Sequence, residues 1–339
     1  MKLPDSIPTT PVVDRDTLSD GRTRFREIVN AINLEHGEDL PDHRTTSDFF
    51  HDFGDEPSQK GASVDLNRRM DGVNVIAVPG FMGECFASIV DLLTDGLAHI
   101  ATLGARTSIA QVAGRGGSAL NGRILRDHIL NVQQEEGDKR TILIPMSKGA
   151  PDTLEMLDQF PEMAEHIDAI VSLVGCVGGS PLSYSVPVWV KAVLGYVPLP
   201  NCRPYGMAPK KSMTPNVRAE FMQHFQMPPS IKTYSIGAVT SKEEVCKGML
   251  HSYHSLCRYD PVNGHLNDSQ LMLADQFLPN ATFLGALNTN HVATGMPVER
   301  CDHWFARFVA NAVLDKTAFP REVMVEAIVR QVLEDLPIE

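Results

Sequence analysis

Three side chains have the types and positions that acyl transfer from a serine nucleophile requires. Ser147 follows the apolar run RTILIPM and precedes KGAPDTLEML, so it lies where a strand turns into a helix. His291, in LGALNTNHVATGMP, follows the last strand-like run, and the segment before that run carries aspartates. A serine nucleophile needs a base within hydrogen-bond reach, and the base needs a group that orients it.

The turn at Ser147 favours two interpretations. A nucleophile at a tight strand-to-helix turn needs small residues two positions to either side. Gly149 meets this need, but Pro145 replaces the first glycine of GxSxG, so the motif reads PMSKG. A serine in this place is also typical of a helix cap or a structural hydroxyl. Whether Ser147 is a nucleophile or a structural hydroxyl therefore depends on which other residues lie near it.

An oxyanion hole is the second requirement. The segment VNVIAVPGFMGECF ends a predicted strand with a glycine turn. We expect the backbone N–H of Phe81 to point into the same cleft as the N–H of Lys148, the residue after the serine. The alternative is that PGFMG is only a tight turn between a strand and a helix.

The orienting carboxylate has two candidates. Asp268 in HLNDSQLML and Asp260 in CRYDPVNG both follow the predicted strand IKTYSIGAV. Asp275, inside LMLADQF, is expected on a helix surface. His303 competes with His291 as the base, but its position within a predicted helix indicates a packing or surface role.

The elements that would position these residues follow an α/β pattern. Strand-like apolar runs alternate with helical patterns that begin near residues 84, 118 and 150. The runs are VNVIAVPG, SIAQVAG, RTILIPM, IDAIVSLVG, IKTYSIGAV and ATFLGALN. This alternation predicts a mainly parallel sheet flanked by helices. Such sheets bind ligands at the carboxyl ends of their strands, where the candidate residues lie.

Two segments depart from this alternation. Residues 1–71 carry 15 acidic and 9 basic side chains, and we expect an acidic N-terminal extension, partly helical, before a main domain of residues 72–339. One amphipathic helix is predicted in TRFREIVNAINLEH. Residues 178–230, rich in Pro and Gly, are expected to be an insertion over the edge of the sheet, either a lid or a structural excursion. The helix would bury four apolar side chains, Phe25, Ile28, Val29 and Ile32.

Composition narrows the possible partners. The chain has 30 Lys and Arg against 42 Asp and Glu, a net charge of −12, so no nucleic-acid partner is expected. No CxxC or HExxH spacing occurs, so we predict neither a metal site nor a cofactor, and most of the six cysteines are expected to be small buried hydrophobes. The N-terminus lacks a signal-peptide pattern and no apolar run reaches transmembrane length, so a cytoplasmic protein without a transmembrane segment is expected.

Taken together, these segments resemble the α/β-hydrolase superfamily, in its lipase and esterase branch. The resemblance covers residues 73 to about 315 and rests on five segments: VPGFMG, PMSKGAPD, LVGCVGGSPLS, LNDSQL and NTNHVA. Ser, Asp and His follow one another in the family's order. LNDSQL matches the Asn-Asp-Gly turn of bacterial lipases, which favours Asp268 over Asp260. Two departures are Pro145 at the serine turn and Pro79 where many lipases have His.

The resemblance implies hydrolysis of small-molecule or lipid-like esters. Ser147 would attack the ester carbonyl, and His291, oriented by Asp268, would take and return the proton. Apolar material for an acyl or alcohol pocket is expected from Met82, Tyr184 and Trp189. Two alternatives remain: an acyltransferase that uses the same three residues, and a hydrolase-like binding protein without catalysis, which Pro145 alone favours.

Overall fold

A seven-stranded parallel sheet forms the centre of the computed structural model, which describes residues 2–58, 60–87, 91–137, 139–185, 202–300 and 314–337. Its order is β1-β7-β6-β5-β4-β2-β3, and every neighbouring pair is parallel. The strands are β1 (Ser19–Asp20), β2 (Val73–Val78), β3 (Arg106–Ile109), β4 (Arg140–Pro145), β5 (Ala169–Leu173), β6 (Lys232–Val239) and β7 (Thr282–Asn288). The predicted sheet, and all six of the predicted strands, are confirmed.

Helices cover both faces of the sheet. The α-helices described are α1 (Arg22–His36), α2 (Thr46–Phe49), α3 (Gly83–Phe86), α4 (Thr94–Thr102), α5 (Ser118–Glu136), α6 (Gly149–Gln159), α7 (Leu182–Ser185), α8 (Ala208–Ser212), α9 (Pro215–His224), α10 (Leu250–Tyr259) and α11 (Arg321–Asp335). Short 3-10 helices span Arg15–Thr17, Pro161–His166, Lys247–Met249, Leu273–Asp275 and Val298–Arg300. In the described part of the chain, no helix combines the length and the apolar character needed to cross a bilayer.

Alternate residues of β2 divide between two hydrophobic cores, as the two faces of a strand require. Val75 and Ala77 pack in the core that includes side chains of α1, α4 and α11. Ile76 and Val78 pack in the core that includes side chains of α5 and α6. Both faces of the central strands are therefore buried, which explains why their sequences are continuous apolar runs rather than alternating ones.

The acidic N-terminal segment packs into the same sheet and core. Strand β1 pairs with β7, with Ser19 opposite Thr282, and α1 packs against α11. The predicted helix is confirmed, and the four apolar side chains predicted on its inner face are fully buried: Phe25, Ile28, Val29 and Ile32. The extension proposed for residues 1–71 thus shares the hydrophobic core of residues 72–339.

The insertion at residues 178–230 is described in two pieces, residues 178–185 and 202–230. A disulfide joins Cys202, at the start of the second piece, to Cys85 in α3. Most of the six cysteines were expected to be small buried hydrophobes. Of the five described, Cys176 and Cys246 are free and buried, Cys257 is free and partly buried, and the other two form the disulfide. Disulfides persist mainly in oxidising compartments, so this bond weighs against the expected cytoplasmic location. A lid function for the insertion stays a proposal.

Candidate active site

Ser147 occupies a strained turn between β4 and α6. Its φ is 53°, in the left-handed region that a non-glycine residue rarely adopts. The Ser147 N–H donates to the carbonyl of Leu173 (3.1 Å), and the Ser147 carbonyl accepts from the N–H of Cys176 (2.9 Å). These two backbone hydrogen bonds hold the left-handed conformation. The Ser147 side chain is only partly buried. A turn of this kind presents a nucleophile above the sheet.

Pro145 is compatible with this turn. It takes the last position of β4, in register with Val78 of β2, and the next residue, Met146, donates its N–H to the Val78 carbonyl at 3.0 Å. The ladder therefore resumes directly after the proline. On the other side of Ser147, a Cβ atom at Gly149 would lie 2.3 Å from the Val78 carbonyl oxygen, so only glycine fits there.

The glycine turn after β2 reaches Ser147. A Cβ atom at Gly80 would lie 2.8 Å from Ser147 Cβ and 3.3 Å from Ser147 Oγ, so the backbone of the PGFMG segment lies against the serine. Among the described residues, neither the Phe81 N–H nor the Lys148 N–H has an acceptor, whereas Met82 donates to the Gly114 carbonyl at 2.8 Å. Backbone amides without an acceptor, close to a serine, are the kind of donor that an oxyanion hole uses.

His291 and Asp268 form a buried pair. His291 Nδ1 lies 2.6 Å from Asp268 Oδ2, and the backbone N–H of His291 donates to the Asp268 carbonyl at 2.8 Å. Asp268 is fully buried, and its Oδ1 accepts the amides of Gln270 (2.8 Å) and Leu271 (2.7 Å) while Gln276 Nε2 donates to Oδ2 (3.2 Å). These donors fix the carboxylate, and the contact with Nδ1 leaves His291 Nε2 for a further proton transfer.

The histidine loop also packs against the serine turn. A Cβ atom at Gly295, four residues after His291, would lie 2.3 Å from Met146 Sδ, next to the serine. No hydrogen bond joins the two described side chains of Ser147 and His291. Nucleophile-to-base bonds are often long or misaligned without substrate and tighten in the complex.

The other aspartates lie elsewhere. Asp260 Oδ1 accepts the amides of Val262 (2.9 Å) and Asn263 (3.1 Å), which lower the pKa of its carboxyl, and it forms no described contact with His291. The expectation for Asp275 was wrong. It ends the 3-10 helix Leu273–Asp275 and is 8% exposed, because the segment folds against Gly178 rather than forming a surface helix.

A network of buried charges supports the serine turn. Lys148 Nζ donates to both carboxylate oxygens of Asp152 at 2.7 and 2.8 Å, as sequence spacing predicts for residues four apart. Ser118 Oγ and Asn121 Nδ2 each donate to Asp152 at 2.6 Å, and Asn121 also bonds the Ala113 backbone. The next residue, Gly114, accepts the Met82 N–H. The network therefore links the turn at the serine to the PGFMG segment. Sequence reasoning missed its Ser and Asn members, which carry no motif of their own.

A buried thiol next to the serine turn, that of Cys176, is unreactive at neutral pH. The Cys176 N–H donates to the Ser147 carbonyl, but burial raises the pKa of the Cys176 thiol to about 12. A thiol is nucleophilic only as the thiolate, so the Cys176 thiol is a poor nucleophile at neutral pH.

Of the three predicted pocket residues, the structure describes Met82 and Tyr184. Met82 is partly buried and has a left-handed backbone, with φ of 64°. Tyr184, in α7, is 46% exposed, and its hydroxyl accepts the Asn216 N–H at 3.3 Å. Trp189 and the alternative base His303 lie outside the described residues. A pocket formed by these side chains stays a proposal.

Two clusters of the described residues could each bring three metal ligands together, and neither includes the serine, Asp268 or His291. One is Glu84 with the disulfide-bonded pair Cys85 and Cys202, whose sulfurs are joined to each other. The other is His36, His99 and Glu326, on the face of the sheet that α11 covers.

The chain is similar over nearly its whole length to a metagenomic carboxyl esterase, MGS0156. The two share 30% sequence identity and superpose with a TM-score of 0.88, covering 98% of each chain. The chain belongs to the α/β-hydrolase superfamily. It falls among the esterase-like and lipase-like members of this superfamily, which confirms the predicted resemblance.

A second solved structure supports the fold of this α/β-hydrolase. The lipase BlEst2 of Bacillus licheniformis, in its mature form, has 18% identity and a TM-score of 0.51, over 68% of this chain and 89% of that one. No protein-family model and no curated protein matches the sequence.

Proposed function

We propose that this α/β-hydrolase is a serine esterase that cleaves carboxylic esters through an acyl-enzyme. The observation that carries the proposal is the buried pair of His291 and Asp268 beside the left-handed turn of Ser147. A serine, a base and an orienting acid at the carboxyl ends of parallel strands are what acyl transfer needs. The similarity to a carboxyl esterase supports an ester as the substrate.

In the proposed reaction, Ser147 Oγ attacks the ester carbonyl carbon while His291 Nε2 takes the hydroxyl proton. The N–H groups of Phe81 and Lys148 donate to the oxyanion of the tetrahedral intermediate. Its collapse breaks the bond to the alcohol oxygen, which receives the proton from His291. Water, deprotonated by His291, then attacks the acyl-enzyme and releases the carboxylic acid.

Asp268 has a positioning role in this scheme. Its contact with Nδ1 holds the imidazole in the tautomer that leaves Nε2 unprotonated, and its charge stabilises the imidazolium that forms. Substrate class and pocket follow from the same proposal: a small-molecule or lipid-like ester, with an apolar pocket that includes Met82, Tyr184 and Trp189.

A fluorophosphonate probe tests the nucleophile. We expect the native protein to form one covalent adduct, which mass spectrometry of its peptides assigns to Ser147. Ser147→Ala should abolish the adduct, and Ser185→Ala, which changes an exposed serine of α7, should leave it unchanged. Equal labelling of Ser147→Ala and the native protein would refute the assignment.

A further inference from the structure

Three helices bring two imidazoles and one carboxylate together away from the candidate active site. His36 ends α1, His99 lies in α4, and Glu326 lies in α11, which packs against both of the other helices. Glu326 Oε2 lies 2.6 Å from His99 Nε2 and 3.4 Å from His36 Nε2, and the three ligand atoms are all within 4.8 Å of one another. One carboxylate oxygen thus faces two imidazole nitrogens.

The carboxylate is held as a metal ligand usually is. Its second oxygen, Oε1, accepts a hydrogen bond from Arg330 Nε at 2.7 Å, and Arg330 in turn donates to the backbone carbonyls of Asp65, Leu66 and Arg68. This hydrogen bond orients the carboxylate, and outer partners of this kind are typical of metal ligands.

One of the two separations that involve Glu326 Oε2 suits a small divalent cation without rearrangement. Zinc binds imidazole nitrogen and carboxylate oxygen at about 2.0–2.2 Å, so two ligand atoms around a tetrahedral ion lie about 3.3–3.5 Å apart. The separation between His36 Nε2 and Glu326 Oε2 is 3.4 Å, which already matches. The shorter contact of His99 is a hydrogen bond that the ion would replace. The His36 side chain is 30% exposed, so water can reach the fourth position.

We propose that His36, His99 and Glu326 form a binding site for a zinc-like divalent cation, which joins the N-terminal helix α1 to α4 and α11. The ligands come from three helices, so an ion bound there stabilises the packing of residues 1–71 on the rest of the chain. Binding to the folded state alone shifts the folding equilibrium by mass action. This cation site is separate from the proposed esterase site, because it contains none of Ser147, Asp268 and His291.

Zinc titration of the full-length chain, after EDTA treatment and dialysis, tests the site. We expect isothermal titration calorimetry to show one bound Zn²⁺ that His36→Gln and His99→Gln both weaken, by more than the 10- to 100-fold typical of losing an outer partner. With zinc at 100 times its Kd, the unfolding equilibrium measured in urea should shift about 100-fold toward the folded state, and His36→Gln should lose this shift. His36 is partly exposed, so this variant should fold even if His99→Gln does not.

Two controls separate this site from other sources of binding. His128→Gln alters a half-buried histidine bonded to Ser108 and should leave both the affinity and the stability shift unchanged. Co²⁺ in place of zinc should give a spectrum without a thiolate charge-transfer band. Absence of zinc binding, equal binding by His36→Gln and the native chain, or a thiolate band that points to cysteine ligands would each overturn the proposal.

Discussion

Asp152 and Asp275 are buried carboxylates in two different segments of the candidate site, and their surroundings differ. On the nucleophile side, residues 113–121 and 145–159, Asp152 is 1% exposed and accepts hydrogen bonds from Lys148, Ser118 and Asn121. On the acid–base side, residues 266–295, Asp275 is 8% exposed. None of the described residues donates a hydrogen bond to its carboxylate.

Burial disfavours the charged form of a carboxylate, and the two aspartates differ in the partners that oppose this effect. A cation and several hydrogen-bond donors offset the cost of burying a carboxylate, and Asp152 has both. A buried carboxylate without them favours its protonated form, and burial alone raises the pKa of Asp275 to about 7. Asp268, seven residues earlier in the same loop, has the donors and the imidazole partner that Asp275 lacks. Local donors therefore distinguish the acid proposed for catalysis from its buried neighbour.

The largest effect is expected from removing the proposed acid. Asp268→Asn should lower kcat on p-nitrophenyl esters by about 10,000-fold, because the amide no longer enforces the productive imidazole tautomer. Asp260→Asn is the matched control, since Asp260 accepts only amides of its own loop and should retain most of the activity. A larger loss in Asp260→Asn than in Asp268→Asn would move the orienting acid to residue 260.

The second effect concerns the buried ion pair of the nucleophile side. Lys148→Met leaves Asp152 buried without its cation, and breaking such a pair costs about 3–5 kcal/mol of the free energy of unfolding. Urea unfolding measures this loss. Lys247→Met removes a pair with Asp315 whose lysine is 74% exposed, and should cost less than about 1 kcal/mol. Similar losses in the two variants would show that the network does not stabilise the serine turn.

The sequence predicts most of this architecture because its signals are local. Six strands read as buried apolar runs, and Ser147, Asp268 and His291 each follow a strand in the order that the family uses. The pair of Lys148 and Asp152 follows from their spacing on one turn of a helix. The structure brings Asp268 and His291 into contact, and their catalytic roles stay predictions.

Features that depend on distant parts of the chain were not predictable. Strand β1 has two residues and no periodic pattern, so its pairing with β7 has no local signal. The bond between Cys85 and Cys202 spans 117 residues without a spacing motif. His36, His99 and Glu326 come together only through helix packing, so their proximity has no local signal in the sequence. Asp275 was misread because LMLADQF has helical spacing but forms a 3-10 turn.

The smallest effect is expected from Asp275, and it depends on pH. Because the pKa of Asp275 is about 7 in the folded chain and near 3.8 when unfolded, the folded state binds the proton more tightly. Stability from this group is complete below about pH 4 and is lost as pH rises to about 7. Between pH 5 and pH 8, the native protein should therefore lose about 3 kcal/mol of unfolding free energy relative to Asp275→Asn, measured in urea. Asp260→Asn is the control, since the lowered pKa of Asp260 places its titration below this window, and its offset from the native protein should stay constant. A constant offset for Asp275→Asn as well would mean that Asp275 has a partner that keeps it ionised. The contrast with Asp152, whose carboxylate has such partners, would then not hold.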